Sequence, residues 1–126
     1  MRAVLDTSVV LSNVVSPLPG ELAVSAATMA ELHFGVLVAD DVRVRAIRLR
    51  KLRALQRRFD PLPIDDAVAE SYGELAAAVV NAGRQPRARV MDILIAATAH
   101  AHDAQLYTRN PKDFKGIDAL VQVASV

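Results

Sequence analysis

Arg2-Ala3-Val4-Leu5-Asp6-Thr7-Ser8 is the stretch whose reading decides the fold. Ala3 to Leu5 is an apolar run short enough for a buried strand, and a carboxylate and two hydroxyls follow it at once. Further along, strands alternate with helices. Chains of that kind form parallel sheets whose ligand sites lie beyond the carboxyl ends of the strands. With Ala3 to Leu5 as the first strand, Asp6 stands at that edge. Function then turns on whether other acids of the chain converge there.

The chain of 126 residues is one domain of ordinary size, residues 1–126. Hydrophobic residues make up 52%, mostly Ala, Val and Leu, enough for a real core. Aromatics are only 4% and Trp is absent, which argues against an aromatic base-stacking platform. Without Cys there is no disulfide framework and no thiol chemistry, and a cytoplasmic setting fits. No apolar run reaches the length of a membrane span, and the N-terminus lacks the pattern of a secretory signal. The net charge is only +1, yet Arg43 to Arg58 holds eight of the fifteen Lys and Arg residues and no acid. Arg84, Arg87 and Arg89 form a second basic cluster. A near-neutral total therefore accommodates a positive face beside a negative pocket.

The pattern predicts the following elements. Val9 to Val15 is a short apolar helix or extended segment, and Pro17, Pro19 and Gly20 make a loop. Leu22 to Ala26 is a short strand. Thr28-Met29-Ala30-Glu31 has the form of a capping box opening a helix to about Ala39. Asp40 and Asp41 open a helix over Val42 to Arg58. Phe59 to Ile64 is extended and limited by its prolines. Asp65 and Asp66 start a helix over Ala67 to Asn81, ended by Gly83. Arg84 to Arg89 is a basic loop around Pro86. Val90 to Ala101 is a helix apolar nearly all round, hence buried. Gln105 to Thr108 and Leu120 to Ala124 are the last strands. The order points to a three-layer α/β domain.

Four carboxylates stand out: Asp6, Glu31, Asp92 and Asp113. Each has a plain structural reading when taken alone. Asp6 is a turn residue after a strand. Glu31 is the return half of the Thr28 capping box, and Asp92 is a first-turn acid favoured by the helix dipole. Asp113 is the third residue of a short helix with Asn110 at its cap and Pro111 first. Jointly they read differently. Asp6 and Asn110 follow strands, Glu31 and Asp92 open helices, and in a parallel sheet those places share one edge. Carboxylates gathered there repel one another unless a cation neutralises them. Oxygen ligands suit magnesium or manganese. Such an ion activates water and stabilises a phosphodiester under attack, which is the physical case for a metal-dependent nuclease.

Four segments carry a family resemblance. Val4-Leu5-Asp6-Thr7-Ser8, Met29-Ala30-Glu31-Leu32, Asp92-Ile93-Leu94-Ile95-Ala96-Ala97-Thr98-Ala99 and Thr108-Arg109-Asn110-Pro111-Lys112-Asp113-Phe114 resemble, in order, the motifs of PIN-domain nucleases. The close resemblance is to VapC-type toxins of bacterial toxin–antitoxin pairs, and it spans nearly the whole chain. The resemblance implies a mainly parallel, roughly five-stranded sheet between helices, with Asp6 on the central strand. It implies that Asp6, Glu31, Asp92 and Asp113 build the catalytic centre, with Thr7, Ser8, Thr108 and Asn110 supporting it. It further implies Mg2+- or Mn2+-dependent cleavage of RNA to a 5′-phosphate and a 3′-hydroxyl, a homodimer, and a cognate VapB-type antitoxin. Two features depart from the family pattern. Asn110 stands where many members carry Asp, and the segment between Asp6 and Glu31 is short.

On this reading Asp6, Asp92 and Asp113 hold the metal, and Glu31 accepts a proton from the attacking water or orients it. His33, His100 and His102 are ordinary helix residues. Arg109, Arg84, Arg87 and Arg89 are the candidates for RNA contact. The Arg43 to Arg58 run is a solvated face, a docking surface for an acidic partner, or an attractor of the RNA backbone. Besides the toxin, two other functions fit the sequence: a housekeeping PIN-type RNA-processing nuclease, and a non-catalytic RNA- or protein-binding module on the same fold.

Overall fold

The computed structural model describes residues 1–12 and 17–126. Along the chain lie β1 (Arg2–Leu5), α1 (Thr7–Val10), β2 (Glu21–Ala23), α2 (Ala26–Leu37), α3 (Val42–Arg58), α4 (Asp66–Asn81), α5 (Val90–Ala101), β3 (Gln105–Thr108) and β4 (Val123–Ser125). Two 3-10 turns, Pro86–Arg89 and Pro111–Phe114, precede α5 and follow β3. The strands form a parallel sheet in the order β2-β1-β3-β4.

β1 is the axis of this sheet. Val4 pairs with Ala23 on one side and Leu106 on the other. Its side chains alternate between two cores, as a strand covered on both faces requires. Val4 joins Val68, Leu75, Ile93, Ile95 and Phe114, while Ala3 and Leu5 join Val24, Met29, Val36, Leu52 and Tyr107. The first core is covered by α4 and α5, the second by α2 and α3, giving three layers. α5 lies against both α4 and the sheet, and Ile95, Ala96, Ala97 and Ala99 along it are fully buried. Its alanines let the backbone approach the strands closely.

The chain leaves β1 toward β2 and returns on the opposite flank as β3. The crevice between the carboxyl ends of β1 and β3 is therefore the point where the winding reverses, the usual place for a ligand in an open parallel sheet.

The helices start where local chemistry allows. Asp41 Oδ1 accepts from Arg43 N at 2.9 Å to open α3, and Asp65 Oδ1 accepts from Val68 N at 3.0 Å to open α4. Gly83, at φ 79°, takes the left-handed turn that ends α4, with Arg84 N donating to Val79 O at 3.0 Å.

Four expectations differ from what the fold shows. α2 opens at Ala26, because Ser25 is its cap: Ser25 Oγ accepts from Ala27 N at 3.0 Å and meets Thr98 Oγ1 at 3.0 Å in the core. Thr28 is thus inside the helix, buried, and Thr28 and Glu31 form no capping box. The strand expected over Leu22 to Ala26 accordingly shrinks to Glu21–Ala23. Leu120 and Val121 turn back on Ile117 O (2.9 and 3.0 Å), which delays the last strand to Val123. Phe59 to Ile64 contributes a single parallel bridge, Ser25 with Leu62, so the described residues form four strands where about five were expected. Of the Val9 to Val15 segment, Val9 and Val10 lie in α1; residues 13–16 lie outside the described residues.

Candidate active site

Asp6 follows β1 directly, with extended backbone (φ −66°, ψ 154°) and its N–H on Tyr107 O at 2.8 Å. It is 5% exposed. Its Oδ2 accepts from Ser8 Oγ at 2.7 Å and Thr108 Oγ1 at 2.9 Å. One hydroxyl comes from α1 and the other from the end of β3, so the two central strands jointly fix the carboxylate. A buried carboxylate is tolerated when such donors satisfy it.

The same hydroxyls tie in the loop that follows β3. Arg109 N donates to Ser8 Oγ at 3.1 Å and Asn110 N to Thr108 Oγ1 at 2.9 Å. Asn110 makes no side-chain cap; its carbonyl accepts from Asp113 N at 3.0 Å, closing the turn that carries Asp113.

Glu31 lies in the second turn of α2, half-buried, rather than at the helix start. Thr7 Oγ1 donates to its Oε1 at 2.7 Å and also lies 3.2 Å from Thr28 Oγ1. Thr28 is a site residue that sequence reasoning missed. Its capping-box spacing to Glu31 concealed a core-facing hydroxyl. Asp92 is in the first turn of α5, and together with Glu31 it lines a hollow of about 310 Å³ with Arg87, Ala88 and Arg89.

Electrostatics tie the four acids into one centre. Burial pushes the Asp92 carboxyl up to about 6, and the charges of Asp6, Asp113 and Glu31 push in the same direction, with Arg89 pulling back. Arg89 Nη1 stands 2.9 Å from Asp113 Oδ1 and 3.6 Å from Asp92 Oδ2. The bond to Asp113 holds the guanidinium's proton above the ordinary arginine range.

The donor set fits a divalent ion: hard oxygens in excess of the positive charge beside them. Among the described residues, however, no three acidic or histidine side chains are drawn into a ready-made metal cage. The acids share a field without sharing a coordination shell.

The arginines expected on RNA divide. Arg87 is exposed and lines the hollow with Glu31 and Asp92, and Arg109 is exposed next to Thr108, whose hydroxyl bonds Asp6. Arg84 donates to the carbonyls of Lys112 (3.4 Å) and Lys115 (3.0 Å), bracing the turn that holds Asp113. Arg89 faces the acids themselves; its place three residues before Asp92 is the helix-pair spacing that could have announced this. The basic run on α3 is partly spent on structure. Arg45 caps the end of α2 through Leu37 O and Ala39 O, Arg48 binds Gly35 O at 2.7 Å, and Lys51 binds Leu11 O at 2.9 Å. The three histidines are not part of the acidic centre: His100 meets Ser71, His102 meets Arg2 and His33 meets Gln56.

Comparisons with known proteins agree with this geometry. The family model of the PIN domain matches residues 3–120. Ribonuclease VapC5 of Mycobacterium tuberculosis is 32% identical over 126 residues, covering 95% of this chain and 90% of that protein. Ribonuclease VapC8 of the same species is 38% identical over 99 residues, covering 75% and 88%. The crystal structure of VapBC-5, a toxin–antitoxin system of Mycobacterium tuberculosis, superposes with a TM-score of 0.85 at 32% identity, over 99% of this chain and 97% of that one. With its acids held at the β1/β3 crevice of a parallel sheet, this chain belongs to the PIN-domain family, among relatives of the VapC type.

Proposed function

We propose that this chain, as one PIN domain over residues 1–126, is the toxin of a type II toxin–antitoxin pair and cleaves RNA endonucleolytically with Mg2+ or Mn2+. The observation that carries this reading is the electrostatic coupling of Asp6, Glu31, Asp92 and Asp113 at one crevice, where burial first and then the charges of the other three raise the Asp92 pKa. The relatives are named ribonucleases, and a solved neighbour belongs to a toxin–antitoxin system.

Asp6, Asp92 and Asp113 would hold the cation. When bound, that ion makes water a nucleophile near neutral pH and offsets charge building on the phosphodiester. The protein's own groups do the rest. Ser8 and Thr108 lock the Asp6 carboxylate against rotation. Thr7 orients Glu31, which stands to take the proton of the attacking water. Arg87 and Arg109, exposed at the rim, attract the RNA backbone.

An antitoxin of the VapB type has a suitable face on α2 and α3. Phe34 (67% exposed), Leu37 (71%), Val42 (84%) and Ile47 (51%) leave apolar surface uncovered there. A groove of about 460 Å³ runs from Leu32 and Ile47 to Thr7 and Glu31, so a segment docked on this face reaches the acids.

The test is cleavage of RNA in magnesium, with the ends mapped for 5′-phosphate. Asp6→Asn combined with Asp92→Asn is expected to lower the rate roughly a thousandfold or more. Cleavage that survives the double substitution, or survives chelation of the metal, contradicts the assignment.

A further inference from the structure

Among the described residues, Arg89 is the cation in ion-pair contact with two of the four acids. Its position is built by the backbone. Pro86 starts a 3-10 turn, Arg89 closes it, and α5 begins at the next residue. The side chain spans from that junction to the Pro111–Phe114 turn, and Arg84 braces the same turn from behind. The side chain is 31% exposed. It is therefore a tethered positive charge at the acids, supplied by the chain itself.

A divalent ion needs the same oxygens. The bond from Nη1 to Asp113 Oδ1 is direct, at 2.9 Å, and a carboxylate oxygen so engaged is a poorer metal ligand. Like charges also exclude each other at such range. The acids, meanwhile, stand apart from any closed metal cage.

We propose that Arg89 is the resident counter-ion of this centre: it pairs with Asp92 and Asp113 while metal is absent, competes with the incoming divalent cation, and thereby sets the metal affinity. This rests on the metal-site reading above. The arrangement makes assembly of the centre conditional. The cation draws the acids together only by displacing the guanidinium, so loading responds to metal concentration within a range that Arg89 determines.

The experiment is calorimetric titration of the full chain with MnCl2, accompanied by melting with and without the metal. The chains compared are wild type, Arg89→Gln, Arg89→Lys, and Arg50→Gln as a control for charge loss at an exposed position of α3. Circular dichroism confirms that each is folded. Arg89→Gln is expected to bind Mn2+ about tenfold more tightly than wild type. In chelator it melts lower than wild type, because the acids lose their partner, and its Mn2+-induced rise is larger. Arg89→Lys, with charge but a shorter single point of contact, falls between the two and serves the same comparison should the Gln variant not fold. Arg50→Gln matches wild type. If wild type binds Mn2+ and the Arg89 variants bind equally or more weakly, Arg89 is a structural staple or a phosphate ligand; the counter-ion proposal is overturned and the metal site stands. If neither wild type nor the variants respond to Mn2+, both fall together.

Discussion

The two ends of the sheet treat polar groups in opposite ways. At the amino ends of β1 and β3, charged and polar residues find local partners. Arg2 meets Glu21 (3.7 Å) and His102 (3.3 Å), and buried Ser71 meets His100 Nδ1 at 2.8 Å. A hollow of about 320 Å³ lies there, lined by Met1, Arg2, His100 and Asp103 among others, but no set of acids crowds it. At the carboxyl ends, Asp92 is half-buried within the field of Asp6, Asp113 and Glu31, and Arg89 pairs with only two of the four acids. One end satisfies its groups and stabilises the fold. The other leaves like charges only partly compensated, as functional sites do at the expense of stability.

Substitutions at the two ends should therefore change stability in opposite directions. The larger effect is expected at Asp92. Its folded value, about 6, lies above the ordinary 3.8, so the folded chain holds this proton more tightly between those values. The stability from this group is complete below about 3.8 and is lost as pH rises through about 6. With the metal chelated, Asp92→Asn should then be more stable than wild type at pH 7.5, by about 1–2 kcal/mol after allowance for partial exposure. The gain should vanish near pH 4. Urea unfolding at both pH values reads it, and a variant less stable than wild type at pH 7.5 would erase the contrast between the ends. The smaller effect is expected at Ser71. Ser71→Ala should cost about 1 kcal/mol, since His100 loses its partner, with RNA cleavage unchanged. A marked loss of cleavage there would mean that the amino end also serves the reaction.

Much of the fold was legible because local chemistry and tertiary packing agree. The limits of α3 and α5 follow from Asp41 at a cap position and from an apolar run without a break, and β1 and β3 from short runs ending in polar residues. Legibility failed where a distant partner decided. Ser25 and Thr28 are both plausible caps by local chemistry; Ser25 takes the role through Ala27 N, with Thr98, far along the chain, also meeting its hydroxyl. Leu120 and Val121 look like strand residues but are held by Ile117. For the proposed centre, spacing and resemblance single out the four acids that the structure couples electrostatically. For Arg89 the one signal was its place three residues before Asp92; its contact with Asp113 was hidden, because a basic residue in a basic loop looks the same whether it faces solvent or a remote carboxylate. The service of Arg45, Arg48 and Lys51 as caps for carbonyls was equally hidden, since it depends on how α3 crosses α2 and α1.

The central claim, that these carboxylates trap a divalent cation, is tested most directly by the melting temperature at pH 7.5 as MnCl2 is raised, for wild type and Asp6→Asn. Mass action predicts a rise of roughly 5 °C or more for wild type well above its dissociation constant, and almost none for Asp6→Asn. Equal rises in the two chains, or no rise in either, would contradict the account.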